Sequence, residues 1–427
     1  MSAVRKKRKV VSLKKTSAYS NYKKQAKHKN NHKGGKPTAQ NKRKATSKPQ
    51  KSKNAAPKAK GKPTAGRRSQ TAAPKPKRTT GNGPLHLSLD IGIDLGTSSI
   101  VVYVKGRGIV FNEPAVVAID KENGEVVAVG NAARSLLKTA GDAIEVIRPL
   151  RNGVIADYDV TEKMLQYFIE QAYGRNWVIK PRIMLCLPYG ATPMEQKAIK
   201  QAALQSGARQ AFLMEKPMAA AMGVGLNVHG ASGNMIVDIG GGTTTAAVIA
   251  LDGIVCGKTI LCGGTQMNEA IINHIRREHG LLIGEHCAED IKCSIGTAVI
   301  TEENKKNSVQ VKGKDMQTGK TKTVTYTAKE CNLALMETLT AIINTINDMM
   351  EQISPELTSD IIAKGLVLTG GGCRLNNLAL LISQKTLLHV STAEEPELVV
   401  AQGTGKALEM LGRISSTGYF ARKTLKK

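Results

Sequence analysis

Two stretches of this chain place a carboxylate, glycine and small hydroxyls in the same order. Ile93-Asp94-Leu95-Gly96-Thr97-Ser98-Ser99 is echoed 144 residues later by Val237-Asp238-Ile239-Gly240-Gly241-Gly242-Thr243-Thr244. Glycine permits positive φ and lets a ligand come close to the backbone. Successive N–H groups of such a turn form a nest for phosphate oxygens, the hydroxyls add donors without bulk, and the leading Asp can hold a hydrated Mg²⁺ ion. A third turn, Val367-Leu368-Thr369-Gly370-Gly371-Gly372, also follows an apolar run. Any one of these is an ordinary turn. The three together suit phosphates held between two lobes, with a nucleoside beside the second.

The elements that must carry these turns follow from periodicity. Strands are expected at 91–95, 101–105, 115–120, 182–187, 210–214, 235–238, 244–251 and 366–368. Helices are expected at 161–173, with Thr161 as N-cap and Met164, Leu165, Phe168, Ile169 and Ala172 as its apolar stripe, and at 193–206, 266–279, 288–295 and 328–353. A further helix over 217–224 opens on Pro217, and another follows Gly372. Residues 302–327 are polar and β-prone, with Met316-Gln317-Thr318-Gly319 as a turn. The alternation predicts an α/β fold, and the echo predicts two related lobes around a cleft, at 85–233 and 234–412, followed by a short basic tail at 413–427.

Residues 1–84 hold 27 of the 62 Lys and Arg and none of the 34 Asp and Glu, which leaves 35 cationic against 34 acidic side chains in the remainder. The net charge of +28 therefore belongs almost wholly to this segment. With few large apolar residues it is expected to stay disordered, since it buries too little to offset chain entropy. The seven cysteines show no Cys-x-x-Cys spacing, which points to buried, reduced thiols of a cytosolic protein. No apolar run approaches the roughly 20 residues that span a bilayer, and no apolar segment follows the basic N-terminus as in a secretory signal.

From about residue 89 to 411 the chain resembles the actin, sugar-kinase and heat-shock ATPase superfamily, and within it the MreB family of bacterial actin homologues. The likeness rests on Asn112-Glu113-Pro114-Ala115-Val116-Val117-Ala118, Ile147-Arg148-Pro149-Leu150, Gly153-Val154-Ile155-Ala156-Asp157, Pro217-Met218-Ala219-Ala220-Ala221, both Asp-led turns, Glu269-Ala270-Ile271-Ile272-Asn273, and Gly405-Lys406-Ala407-Leu408-Glu409. The resemblance implies an actin-like ATPase fold that binds ATP and Mg²⁺ between its lobes. It also implies polymerisation into paired protofilaments, with itself or another MreB, at the inner face of the cytoplasmic membrane. There such filaments organise cell-wall elongation proteins and set cell shape. It places Asp94 and Asp238 at the Mg²⁺, and Thr97, Ser98, Ser99, Gly240, Gly241, Gly242 and Thr243 around the phosphates. Glu289, Lys292, Gly370, Gly371 and Gly372 fall near the nucleoside.

Departures from the family pattern cluster on the chemistry. Where the family carries a catalytic Glu before Pro-Met-Ala-Ala-Ala, this chain has Lys216, after Glu215. A charged Lys cannot accept a proton from water, and loss of a general base costs roughly 10²–10⁴ in rate. Thr243, which the family also uses around that water, is retained. Ser99 replaces Asn, Thr245 and Ser294 replace Glu, Asn268 replaces Asp, and Gly263-Gly264-Thr265 replaces Gly-Gly-Asp. The expectation is a subunit that binds nucleotide and hydrolyses it poorly, at most a weak ATPase, with Lys216 by the γ-phosphate.

Two segments bear on partners. Trp177-Val178-Ile179, flanked by Arg175 and Lys180, suits an interfacial membrane anchor, or equally a Trp packed on its neighbouring helix. The basic tail suits anionic lipid, non-specific nucleic acid, or plain solvation; Tyr19 and Tyr22 alone are too few for base stacking. Alternative functions are a DNA-partitioning filament and a soluble chaperone-type ATPase. The chaperone would need a substrate domain beyond the core, for which few residues follow.

Overall fold

The computed structural model describes residues 90–137, 142–173 and 179–414, with side chains through residue 410. The basic tail, Trp177, Val178 and residues 415–427 lie outside the described residues.

The first lobe is built on β1 (Ile91–Leu95), β2 (Ser99–Val104), β3 (Gly108–Pro114), β4 (Arg182–Leu187) and β5 (Gln210–Glu215), in the order β5-β4-β1-β2-β3. Every residue of β1 is buried, as a central strand covered on both faces requires. β1, β2 and β3 form an antiparallel meander, and β4 and β5 add in parallel on the far side of β1. The second lobe repeats this plan with β6 (Asn234–Ile239), β7 (Thr244–Ala250), β8 (Gly253–Ile260), β9 (Leu366–Thr369) and β10 (Val390–Thr392), in the order β8-β7-β6-β9-β10. Again three strands are antiparallel and two are added in parallel. The sequence echo is thus an echo of topology.

Helices fill the crossovers. In the first lobe, α1 (Tyr158–Tyr173) and α2 (Pro193–Gln205) pack on the sheet through Met164, Leu165, Phe168, Ile199 and Ala202. α1 begins three residues before the expected start. Asp157 accepts from the Val160 N–H at 3.1 Å, while Thr161 is fully buried and donates its hydroxyl to the Asp157 carbonyl. α3 (Lys216–Val224) follows β5 directly. In the second lobe come α4 (Gly264–His279), α5 (Glu285–Ile295) and the long α6 (Ala328–Gln352). Thr327 and Glu330 form a reciprocal cap at the start of α6. The polar segment before it is a hairpin of Ser308–Asp315 and Thr321–Thr327.

The last helix, α7 (Val399–Ile414), follows the second lobe in sequence but packs against α3 and the first-lobe strands β1, β2 and β4. Glycine makes this possible. A Cβ on Gly403 would lie 1.7 Å from the Ala219 carbonyl oxygen, and one on Gly223 would lie 2.1 Å from that of Val399. Lys406 donates to the carbonyls of Met222 and Gly223 at 2.9 and 2.8 Å, closing the C-terminus of α3 where a cation is favoured. With Met184, Cys186, Ile236, Ala247 and Ile249, α3 and α7 form an apolar cluster joining the two sheets. Cys186, Cys262, Cys331 and Cys373 are buried free thiols; Cys256 and Cys287 are half-buried, and Cys293 is exposed rather than buried as expected.

Candidate functional site

The two Asp-led turns are matched in length and closure. Leu95 pairs with Ile100 and Ile239 with Thr244, so each tip is four residues long. Each is closed by the same bond, from Gly96 N–H to the Ser99 carbonyl at 3.0 Å and from Gly240 N–H to the Thr243 carbonyl at 2.8 Å. The tips face each other closely. A Cβ on Gly241 would stand 2.0 Å from Ser98 Oγ, and one on Gly242 would stand 2.7 Å from Thr97 Oγ1. Only glycine allows that approach. Thr97 is buried, and its hydroxyl accepts the Gly153 N–H at 2.9 Å, which leaves its own proton to donate. Ser98 is exposed, Ser99 half-buried and Thr243 buried.

The glycines around the second tip form a continuous wall. Gly264 and Thr265 donate their N–H groups to the carbonyls of Gly240 and Gly241 at 3.0 and 2.7 Å. Gly370 has φ +80°, and a Cβ there would meet the Ile239 carbonyl at 2.4 Å and Asp238 Oδ1 at 2.8 Å. Gly371 is exposed with open space around it. On the flank, Lys292 bridges the Glu289 carboxylate at 2.8 Å and the Gly264 carbonyl at 3.2 Å. Asn268 donates to Glu289 at 2.7 Å; an Asp there would instead repel it. Burial works against the charge of Glu289, but the bonds from Lys292 and Asn268 prevail and hold its pKa below the usual value. Ser294 is exposed and donates back to the Ile291 carbonyl of its own helix. Thr245 is buried beside Thr259 at 3.0 Å, and Thr259 donates to the Tyr189 carbonyl at 2.9 Å, a tie between the lobes.

The carboxylates lie at the roots of the tips. Asp94 is 8 % and Asp238 5 % exposed. Lys216, the first residue of α3, is equally buried, and its Nζ stands 2.7 Å from Asp94 Oδ1. That oxygen has no aligned hydrogen bond, so the contact is charge pairing. Thr369 donates to Asp238 Oδ1 at 3.1 Å. Burial works against the charge on Lys216, but Asp94 and Asp238 outweigh it and raise its pKa above the ordinary lysine value. Burial raises the Asp238 carboxyl and Asp94 adds to the rise, against the pull of Lys216 and Thr369. Burial also pushes the neighbouring Cys186 thiol well up. Glu215, the last residue of β5, is exposed where the adjoining Lys216 is buried, so the two side chains do not share one environment.

These side chains do not fit a divalent cation well. Mg²⁺ seeks hard oxygen ligands and keeps several waters, but one of the two carboxylates already carries an ammonium. Among the described residues no group of three or more His, Cys, Asp or Glu could hold a metal. The sequence showed a Lys in place of a Glu but not where it points. Only the fold brings the start of α3 to the end of β1, and Lys216 onto Asp94. The backing glycines Gly263 and Gly264 entered the sequence reading only as the retained part of a turn in which Thr265 replaces Asp.

Residues 88–416 match the model of the MreB/Mbl protein family. The chain is 47% identical over 329 residues to the cell shape-determining protein MreB of Escherichia coli (strain K12), covering 76% of this chain and 94% of that protein. It is 44% identical over 325 residues to the cell shape-determining protein Mbl of Bacillus subtilis (strain 168), covering 76% and 97%. The crystal structure of MreB 5 of Spiroplasma citri bound to AMPPNP superposes with a TM-score of 0.74 at 30% identity, over 78% of this chain and 99% of that one. The MamK double helical filament, at 22% identity and a TM-score of 0.66, shares the fold. With its doubled lobe plan and facing turns, the chain belongs to the MreB/Mbl family of actin-like, cell shape-determining proteins.

Proposed function

We propose that this chain is a nucleotide-binding cytoskeletal subunit that polymerises into filaments at the inner face of the cytoplasmic membrane and takes part in cell-shape control. The observation that carries the reading is the pair of four-residue tips in van der Waals contact, Thr97 and Ser98 against Gly241 and Gly242. Their N–H groups and hydroxyls form two facing cradles for phosphate oxygens. Glu289, Lys292 and Gly370 to Gly372 flank the second cradle on the side where a nucleoside would lie. The relative from Spiroplasma citri, 30% identical, was crystallised with AMPPNP and with ADP, which supports the same ligand class here.

Hydrolysis is slow in this reading, because position 216 offers an ammonium rather than a carboxylate to water. Membrane association rests on the composition of Trp177-Val178-Ile179, of which Ile179 alone is described and is half-buried. Among the described residues no helix is long and apolar enough to cross a membrane. Pelleting of the full chain with and without ATP, followed by electron microscopy of the pellet, tests the reading. Filaments in the pellet are the expected result, and a protein that stays in the supernatant under all nucleotide conditions would overturn it.

A further inference from the structure

Resting on the nucleotide-binding reading, we propose that the Lys216 ammonium takes the place of the divalent cation between Asp94 and Asp238, so that this chain binds a nucleoside di- or triphosphate without Mg²⁺. The ammonium lies 2.7 Å from Asp94 Oδ1, is buried as both carboxylates are, and acts electrostatically on Asp238 as well. An ion seated between the carboxylates would have to displace the lysine or sit against a like charge in a low-dielectric site. Lys216 is itself buried, and moving its ammonium off Asp94 would leave two charges buried without compensation.

The charge balance agrees with this placement. Two carboxylates normally require compensation before a polyphosphate can approach them. A tethered +1 charge supplies part of it. Thr245, Asn268 and Ser294, where the family resemblance expects acids, reduce the negative charge that remains to be offset. One ammonium in place of a doubly charged ion is thus matched by fewer acids around the cleft. This goes further than impaired hydrolysis: the substitution adapts the site to a metal-free ligand.

The test is titration of full-length protein with a fluorescent ADP analogue at physiological salt, which screens contacts of the basic tail, once in excess Mg²⁺ and once in excess EDTA. The wild-type dissociation constant is expected to change by less than about threefold between the two. Lys216→Gln, which is one atom shorter and uncharged, and Lys216→Glu are each expected to bind at least about tenfold more weakly in EDTA than in Mg²⁺. Mn²⁺ electron paramagnetic resonance with ADP present should show protein-bound ion in Lys216→Gln and none in the wild type. A wild type that loses tenfold or more in EDTA overturns the lysine's role and leaves nucleotide binding standing, as does metal-independent binding that persists in Lys216→Gln. Absence of binding under both conditions overturns the nucleotide reading itself, and this inference with it.

Discussion

Replacing Gly403 by Ala should destabilise the fold at the seam between α3 and α7. The added Cβ would stand 1.7 Å from the Ala219 carbonyl oxygen and 2.5 Å from its carbon, where ordinary contact begins at 3.4 Å. The obstacle is helical backbone, which no rotamer change removes, so the helices must part by about 1.7 Å, the difference between those distances. Close-packed helices that separate this far lose much of their mutual dispersion attraction. The expected cost is about 3 kcal/mol, the upper end of overpacking penalties. Urea unfolding followed by far-UV circular dichroism measures it. Gly371→Ala serves as the control, because a Cβ there meets nothing within 4 Å, and it should change stability by less than about 1 kcal/mol. A Gly403→Ala protein within about 0.5 kcal/mol of wild type would refute the reasoning, since it would mean that α3 and α7 are not held in contact at that glycine.

Gly241→Ala sets a methyl group 2.0 Å from Ser98 Oγ, so the tips must splay, and affinity for ADP should fall at least about tenfold; unchanged binding in a fluorescence titration would argue that the tips do not share a ligand. Phosphate release in Mg²⁺ should be near background for the wild type and rise by roughly 10² for Lys216→Glu, whereas rapid release by the wild type that Thr243→Ala abolishes would contradict slow hydrolysis. The Thr318 N–H and hydroxyl hold the Asp315 carboxyl down to about 2, against 3.8 for a free Asp. A depressed folded pKa stabilises above the unfolded value, so the hairpin turn is fully supported above pH 3.8 and loses that support as pH falls through about 2. The Thr318 amide shift followed by NMR should report a midpoint near 2, and a midpoint near 3.8 would remove Asp315 from that role.

Much of the architecture could be read in the chain because several elements announce themselves chemically. The two hairpins were visible from an Asp, a glycine run and hydroxyls between apolar strands. The long helix, expected at 328–353, runs from Ala328 to Gln352, and the structure shows Thr327 and Glu330 capping its start. The third strand of each meander, Gly108–Pro114 and Gly253–Ile260, escaped notice. Both are half-buried outer strands, where the apolar alternation that signals a strand is weak. The helix Pro355–Lys364 was also missed, although Ser354 caps it with Pro at its first turn; it buries Ile361 alone and so lacks an apolar stripe. Thr161 was read as a cap because its type suits one, but the true cap is decided by the turn at Pro149, Ala156 and Asp157. The orientation of Lys216 was beyond local reading altogether, since Asp94 meets it only through the pairing of distant strands.

The placement of α7 has a consequence for how the molecule is made. Thr404 and Gly405 rest against Gly92 and Tyr103, so one face of β1 stays bare until nearly the whole core has been synthesised. Closing so long a loop costs chain entropy that only the finished seam repays, and contacts this remote in sequence form slowly. On the ribosome, the first lobe should therefore wait, exposed and reliant on chaperones, for the final helix to arrive. A chain halted before Val399 would be expected to aggregate rather than persist as a stable half.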